Sequence, residues 1–396
     1  MTCSFFNMAK ASQWVLLVSA AAAFSLFCTF GVVSAAEGGF NLQCVGDSNA
    51  PVDWYVVLKF PGGSEYAYTD SESLHLGLRK SPYELENASE GAVSNTLRQI
   101  YRSSSTDASP TDGGADDDDD DVGFVKYNDD DPNDHSHGTG GHTKGVLGWG
   151  EGQGFWLIHS VPRFPNFVKD GAYAGLPENE LRYGQSMLCL SLDLSSLDDV
   201  ASQLLVAYPW VYDTHFPLKF AESMPSAKKL SEGEKHGEYE SHSLALTTLE
   251  GASFRTFYKS PKWGGFLYEE FVQQYYKTGM LWETWMNGIN PDPTFCVPKY
   301  AFDSINVRTL SLAGEDWKET QDHSKWGVAL PKTSSGTSTG MGKNEPGIPL
   351  VCIGDINRQA SQNHRGGGTT CVIHEDLHGA FLSMITSFDK CSSSQE

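Results

Sequence analysis

The 396-residue chain carries 28 basic and 50 acidic side chains, a formal net charge of −22 with its histidines neutral. At neutral pH that charge repels a polyanion, which argues against a nucleic-acid binder working there. Protonating all 12 histidines would bring −22 to −10, so composition leaves an anionic substrate open in an acidic compartment.

Residues 1–36 read as a secretory signal peptide: Lys10, an apolar run over 14–33, then the small residues Ser34, Ala35 and Ala36 at the cleavage position. The run is long enough for a membrane anchor, but the small residues favour removal, with no stable membrane association afterwards. The remainder, 37–396, is long enough for a large core. It holds Cys44, Cys189, Cys296, Cys352, Cys371 and Cys391, an even set on an oxidising route, and sequence alone allows fifteen ways of forming three disulfides. The lack of Cys-x-x-Cys argues against a thiolate zinc site or a redox motif. Asn87-Ala88-Ser89 is an N-glycosylation sequon.

In chain order, 52–60 is rich in β-branched and aromatic residues and predicts a strand ended by Pro61-Gly62-Gly63. The tract 103–141 predicts a disordered acidic loop: its stretch 112–134 holds eleven Asp and one Lys. The Asp run 116–121 could gather divalent ions loosely, though a solvated loop needs none. Buried strands are predicted at 154–160 and 187–192, and a helix over 196–205 with Leu197, Val200 and Leu204 inward and Asp198 and Asp199 in solvent. Residues 208–212 close the first half. The second half predicts a strand at 254–258, a helix over 268–281, a strand leading to His323, a strand at 350–353 and a final helix over 374–388. This is an α/β chain with internal pseudosymmetry, in halves 37–225 and 226–396.

Two segments tie the halves together: His142-Thr143-Lys144 and His323-Ser324-Lys325, 181 residues apart. On a strand, the period of two would set imidazole and ammonium side by side, so each half could give one His and one Lys to a common pocket. The plainer reading is two solvated loops. Other constellations compete. His374-Glu375-Asp376-Leu377-His378 matches a zinc-protease motif, but its acids also suit a helix N-terminus and a third ligand is missing nearby. His135 and His137 could hold a metal only in a loop that makes a poor cage. Arg365-Gly366-Gly367-Gly368-Thr369 could offer amides to a phosphate or be a glycine turn. In the run 254–263, Arg255, Lys259, Lys262 and Trp263 interleave base with aromatic, as a base-stacking surface or a snorkelling strand edge would.

Taken together and in order, Cys44-Val45-Gly46-Asp47-Ser48 with Pro51 to Trp54, His142-Thr143-Lys144, Gly154 to Ser160, Tyr183-Gly184-Gln185, Tyr208 to Tyr212, Asp322-His323-Ser324-Lys325-Trp326, Cys352 to Arg358 and Arg365 to Thr369 resemble the deoxyribonuclease II family of acid endonucleases. The resemblance implies a phospholipase D-like pseudodimer, two sheet-and-helix halves around one active site, with a His-x-Lys followed by Gly354 and Asn357. It implies a site of His142, Lys144, His323, Lys325, Asn357 and Asp355, with no cofactor or metal, and disulfides Cys44–Cys189, Cys296–Cys391 and Cys352–Cys371. It also implies a DNA substrate, 3'-phosphate and 5'-hydroxyl ends, and a lysosomal or secreted destination. The acidic tract and the stretch 333–343 read as loop insertions, and the zinc-like motif departs from the family.

The chemistry suits these side chains. Lys144 and Lys325 can neutralise non-bridging phosphate oxygens, one neutral imidazole can attack phosphorus, and the other, protonated, can donate to the leaving oxygen. The alternatives are a phosphodiesterase on another substrate, such as a phospholipid, and a non-catalytic secreted DNA binder.

Overall fold

The computed structural model describes residues 41–101, 121–235, 240–331 and 347–391. The expected signal peptide, the acidic run up to position 120 and the stretch 333–343 fall outside these residues. Among the described residues no helix is long and apolar enough to cross a membrane.

Two large sheets organise the chain. The first takes β1 (Trp54–Lys59), β2 (Glu65–Asp70), β3 (Arg79–Glu84), β4 (Gly123–Tyr127), β5 (Gly145–Trp149), β6 (Gln153–His159), β7 (Gln185–Asp193) and β8 (Val211–His215) in the order β3-β2-β1-β7-β6-β5-β4-β8. The second takes β9 (Ser241–Thr247), β10 (Ser253–Lys259), β11 (Met280–Glu283), β12 (Ser304–Leu312), β13 (Glu315–Lys318), β14 (Trp326–Ala329), β15 (Leu350–Gly354) and β16 (Gly367–Ile373) in the order β13-β12-β11-β14-β15-β16-β10-β9, with β17 (Ile385–Phe388) on β12. The helices are α1 (Ala92–Tyr101), α2 (Leu194–Ala207), α3 (Pro225–Ser231), α4 (Gln273–Tyr276) and α5 (Glu375–Ser383).

The sheets share an inner plan. The path β1-β7-β6-β5-β4 in one matches β10-β16-β15-β14-β11 in the other, antiparallel at every step. The registers match residue for residue. Gly145 pairs with Tyr127 and Ile158, and Ile158 with Leu188; Trp326 pairs with Glu283 and Ile353, and Ile353 with Thr370. Each His-x-Lys therefore ends where its third strand begins, and His142 and His323 occupy equivalent places.

One apolar core joins the inner faces of both sheets through α2 and α5, with Trp54, Trp156, Leu204, Phe254, Trp326 and Phe381 all buried in it. A second core lies between the first sheet and α1, and a third between the second sheet and the turns leading into α4. Central strands covered on both faces explain why β7 reads as an almost unbroken apolar run.

The disulfides are Cys44–Cys189, Cys296–Cys391 and Cys352–Cys371, the last directly across β15 and β16. Asn87 sits in the turn after β3, where its Oδ1 accepts from the Ser89 amide and hydroxyl at 2.9 Å.

Several sequence expectations need correction. The helix expected over 268–281 is a π turn, Leu267–Val272, and the short α4; Lys277 then turns left-handed (φ 53°) and Met280, Leu281 and Trp282 enter β11. The helix expected over 374–388 stops at Ser383, and its last residues form β17. The part of the tract 103–141 that the structure describes, 121–141, is not a disordered loop: β4 is wholly buried, and Asp129 and Asp131 lie inside the protein. His142 and His323 stand just before strands rather than on them. Asp198 is not simply solvated, since its Oδ1 accepts from the amides of Ser226 (2.7 Å) and Ala227 (2.8 Å) and so caps α3 from α2.

Replacing Asp198 by Ala should therefore cost roughly 0.5–2 kcal/mol, the value of a lost N-cap. Chemical denaturation should show it, with Asp199→Ala, whose side chain is exposed, staying within about 0.5 kcal/mol of the parent.

Candidate active site

The two histidines are held reciprocally. His142 Nδ1 lies 2.5 Å from the carbonyl of Asp355, and His323 Nδ1 lies 3.0 Å from the carbonyl of Ser160. Ser160 and Asp355 are register equivalents, each two residues beyond a paired isoleucine. The backbones repeat the exchange: His142 N donates to Gly366 O at 2.7 Å and His323 N to Gly184 O at 2.8 Å. Every one of these bonds crosses from one half to the other.

A carbonyl can only accept, so each Nδ1 carries the proton, and a neutral ring then has its lone pair on Nε2. Both imidazoles are pushed well below their ordinary range. For His142 burial acts first, then Lys144; for His323 burial, then Lys325 and Lys144. The pair is poised as two neutral bases beside two cations.

The glycines let the backbones approach. A Cβ on Gly141 or on Gly366 would run into the carbonyl of Ala207, at the C-terminal end of α2. Tyr208 is left-handed there (φ 57°), and its carbonyl accepts from Gly141 N at 2.7 Å. One helix end thus positions both the segment bearing His142 and the segment that holds it.

The lysines differ in their partners. Lys144 Nζ donates to Asp129, whose other oxygen accepts from Arg365 Nη1 at 3.0 Å and lies 3.8 Å from His142 Nε2. Burial would raise the Asp129 carboxyl, but Lys144, His142 and Arg365 outweigh it and hold it well below the usual range. Lys325 Nζ donates to the carbonyl of His323, and burial followed by the charge of Lys144 drives its ammonium well below its ordinary value.

Asp355 is fully buried: Oδ1 accepts from Gly368 N at 2.9 Å, Oδ2 meets no hydrogen-bond donor within bonding distance among the described residues, and burial pushes the carboxyl up to about 7. Asn357 is 5% exposed, with its amide on Gln362 Oε1 (2.6 Å) and its side-chain Oδ1 unpartnered. The structure thus brings His142, Lys144, Lys325 and Asp355, all buried, and the half-buried His323 into one cluster, with the Asn357 segment directly beyond Asp355.

Two buried lysines, two neutral imidazoles and a protonatable carboxyl suit a monoanionic phosphodiester. The Deoxyribonuclease II family model matches residues 43–391. The chain belongs to the deoxyribonuclease II family. It is 34% identical over 367 residues to "Deoxyribonuclease-2-alpha" of Mus musculus, covering 88% of this chain and 94% of that protein. It is 31% identical to "Plancitoxin-1" of Acanthaster planci, covering 89% and 93%, and 29% identical to "Deoxyribonuclease-2-beta" of Homo sapiens, covering 91% and 94%.

Within this deoxyribonuclease II chain, the expected substrate-contact residues separate. Lys259 is buried, its Nζ spent on the carbonyls of Gln362 (3.1 Å), Asn363 (2.9 Å) and Arg365 (2.6 Å), so it anchors a loop instead of facing solvent. Arg365 is likewise committed, to Asp129 and to the carbonyls of Gly140 (3.1 Å) and Gly141 (3.0 Å). Arg255 lies over the Tyr275 ring at 4.8 Å, Trp263 packs toward Phe271 at 6.1 Å, and Lys262 is exposed. Arg255 and Trp263 both reach the aromatic group around Phe257, while Lys259 is withdrawn from any interleaved surface over 254–263.

The zinc-like motif opens α5, where His378 Nε2 donates to the carbonyl of Ala329 at 2.9 Å. Among the described residues, the one cluster of metal-type side chains is Cys296, Asp303 and Cys391, whose sulfurs are already joined to each other. His135 pairs with Asp131 at 3.2 Å, and His137 stacks on Trp210 at 3.7 Å.

Sequence reading missed Asp129, Ser160, Gln185 and Trp285. Asp129 was hidden among other aspartates; its signal was its distance of two residues from the apolar strand β4. Gln185 Oε1 accepts from Ser160 Oγ at 2.6 Å and lies 3.2 Å from His323 Nδ1. The Trp285 ring lies 5.1 Å from the His323 ring.

Asp129→Asn should cost roughly 3–5 kcal/mol, because it leaves the buried Lys144 and Arg365 without their anion. The sign with pH follows from a depressed carboxyl: its stabilisation is present above the unfolded value of about 4 and fades only as pH falls through the much lower folded value. Denaturant melts should show the parent–variant gap undiminished from pH 7 to pH 5; a gap already closing at pH 5 would contradict the assignment.

Proposed function

We propose that this protein is an acid, metal-independent endodeoxyribonuclease that cleaves DNA through a phosphohistidine. In this reading it is a phospholipase D-like pseudodimer, in the secretory pathway and active in a lysosome or outside the cell. The observation that carries the reading is the reciprocal seating of His142 and His323, each with Nδ1 fixed by the opposite half and Nε2 left for chemistry.

Lys144 and Lys325 supply the positive charge that the non-bridging oxygens need. His142 Nε2 attacks phosphorus while the O5' leaving group takes a proton from His323, breaking the P–O5' bond and leaving the 3'-phosphoryl group on His142. His323, now neutral, takes a proton from water as that water attacks phosphorus, and the P–N bond breaks to release a 3'-phosphate. Burial first, then Lys144, Arg365 and Lys325, disfavour a charged His142 against the opposing pull of Asp129, which suits a nucleophile that must stay neutral in acid.

A phosphodiester entering between the lysines adds negative charge and raises both imidazoles, so proton uptake accompanies binding. Asp355 reinforces the acid preference. Below about 7 its carboxyl is neutral, and above that it would add a negative charge beside the phosphate. Asn357, with an unpartnered side-chain oxygen, is placed to orient phosphate or imidazole.

Plasmid digestion at pH 5 in EDTA tests the reading against a metal-dependent enzyme, a phospholipid phosphodiesterase and a DNA binder without catalysis; an intact plasmid would overturn it. His142→Ala or His323→Ala should abolish turnover, whereas His135→Ala or His374→Ala should stay within a few-fold. A phosphoryl adduct should be trapped on His142 and vanish in His142→Ala.

The pH dependence of kcat/KM should be bell-shaped, with limbs belonging to the coupled histidines and not to either alone. The basic limb should fall in both low and high salt, because it reports loss of the acid's proton as well as weaker attraction to DNA. A basic limb that disappeared in high salt would contradict this.

A further inference from the structure

The two halves match in register but differ beside the histidines. Two residues beyond the strand position paired with Gly145 stands Asp129; two beyond the position paired with Trp326 stands Trp285. A carboxylate flanks His142 and an indole flanks His323, with ring centroids 5.1 Å apart and planes at 71°. Trp285 also meets Tyr183 of the other half, at 4.6 Å and 79°, and the Arg182 guanidinium lies over the Tyr183 ring at 4.9 Å. Both aromatic rings are half-buried and Arg182 is exposed, so the group keeps ring surface in solvent beside the catalytic imidazole.

We infer that Trp285 and Tyr183 form a nucleobase subsite, which stacks the base on one side of the scissile phosphate. This rests on the nuclease reading and adds to it a direction along the strand. Every base has a π-face, so stacking there grips DNA without selecting sequence. Arg182 stands where the phosphate following that base would need a cation. On the opposite side Asp129 and Arg365 take the place of Trp285, and among the described residues no ring flanks His142 as Trp285 flanks His323, so the second base has no equivalent platform. A base stacked on Trp285 has left its own helix, so the scissile nucleotide is unpaired when cut.

The probe is a single-stranded DNA hexamer whose only phosphodiester is the central linkage, the others being uncharged methylphosphonates. Two companions lack the base on one side or the other of that linkage. The parent enzyme should prefer the complete hexamer over one companion by roughly 5- to 150-fold in kcat/KM, the size of one base–aromatic stack, and hardly distinguish it from the other.

Trp285→Ala and Tyr183→Ala should bring that ratio toward one, and Trp285→Phe should keep most of it. A ratio unchanged in Trp285→Ala would overturn the subsite and reduce Trp285 to packing for His323. So would a parent ratio of one for both companions. A parent enzyme that cleaves none of the three and also leaves plasmid intact at pH 5 in EDTA overturns the nuclease reading itself, whereas one that cuts plasmid but none of the hexamers overturns the subsite as drawn.

Discussion

A buried imidazole needs a partner for its N–H, and here each of the two catalytic candidates finds it only across the boundary between halves, on Asp355 O and Ser160 O. Much of the local structure serves that exchange. Gly184 and Gly366 provide the carbonyls for the histidine amides, and a side chain on Gly366 would collide with the end of α2. Lys259 gathers the carbonyls of the loop ending at Arg365, and Arg365 reaches back to the carbonyls of Gly140 and Gly141, next to His142. Basic residues that look like ligands for a polyanion are here structural staples for the backbone.

The electrostatics of the site are uneven even though its backbone is nearly symmetric. Around His142 a carboxylate held ionised far into acid keeps Lys144 and Arg365 in place. Around His323 aromatic rings take that position, and among the described residues Lys325 Nζ donates to a carbonyl alone. Glu283, fully buried with both oxygens unpartnered and its carboxyl raised well above the usual range, adds a neutral wall behind Lys325 rather than a counter-charge. Two chemically identical imidazoles thereby face different surroundings, which is what a reaction needing one nucleophile and one acid requires.

Much of this was legible in the sequence where apolar periodicity is undisturbed. Strands β1, β6, β7, β10 and β15 and helix α2 fall where residue patterns put them, because faces covered on both sides leave unbroken apolar runs. Strand β4 escaped because its fourth residue is Lys126, a fully buried cation whose charge is met by Asp213 at 3.0 Å and whose Nζ donates to Asn166 O at 2.7 Å. A buried ion pair looks like surface until its partner is known. Strand β11 and the end of α5 were read as helix because both continue an apolar pattern past a backbone reversal that only tertiary pairing reveals. The His-x-Lys pairs announced themselves, whereas Asp129 and Trp285 required the register. The disulfide pairing required the family, since six cysteines alone leave every connectivity open.

The strand order also sets when the enzyme can first exist during synthesis. A ribosome finishes β1 to β8 and exposes His142 long before it adds Gly366, the residue that receives the His142 amide. Strand β16 then joins β15 to β10 and completes the sheet. Until the last part of the chain has emerged, the first histidine lacks both of its acceptors, although Lys144 already has Asp129. The seat of the first histidine therefore depends on the last strands of the second sheet, so a chain cut short before Asp355 keeps His142 without the groups that hold it.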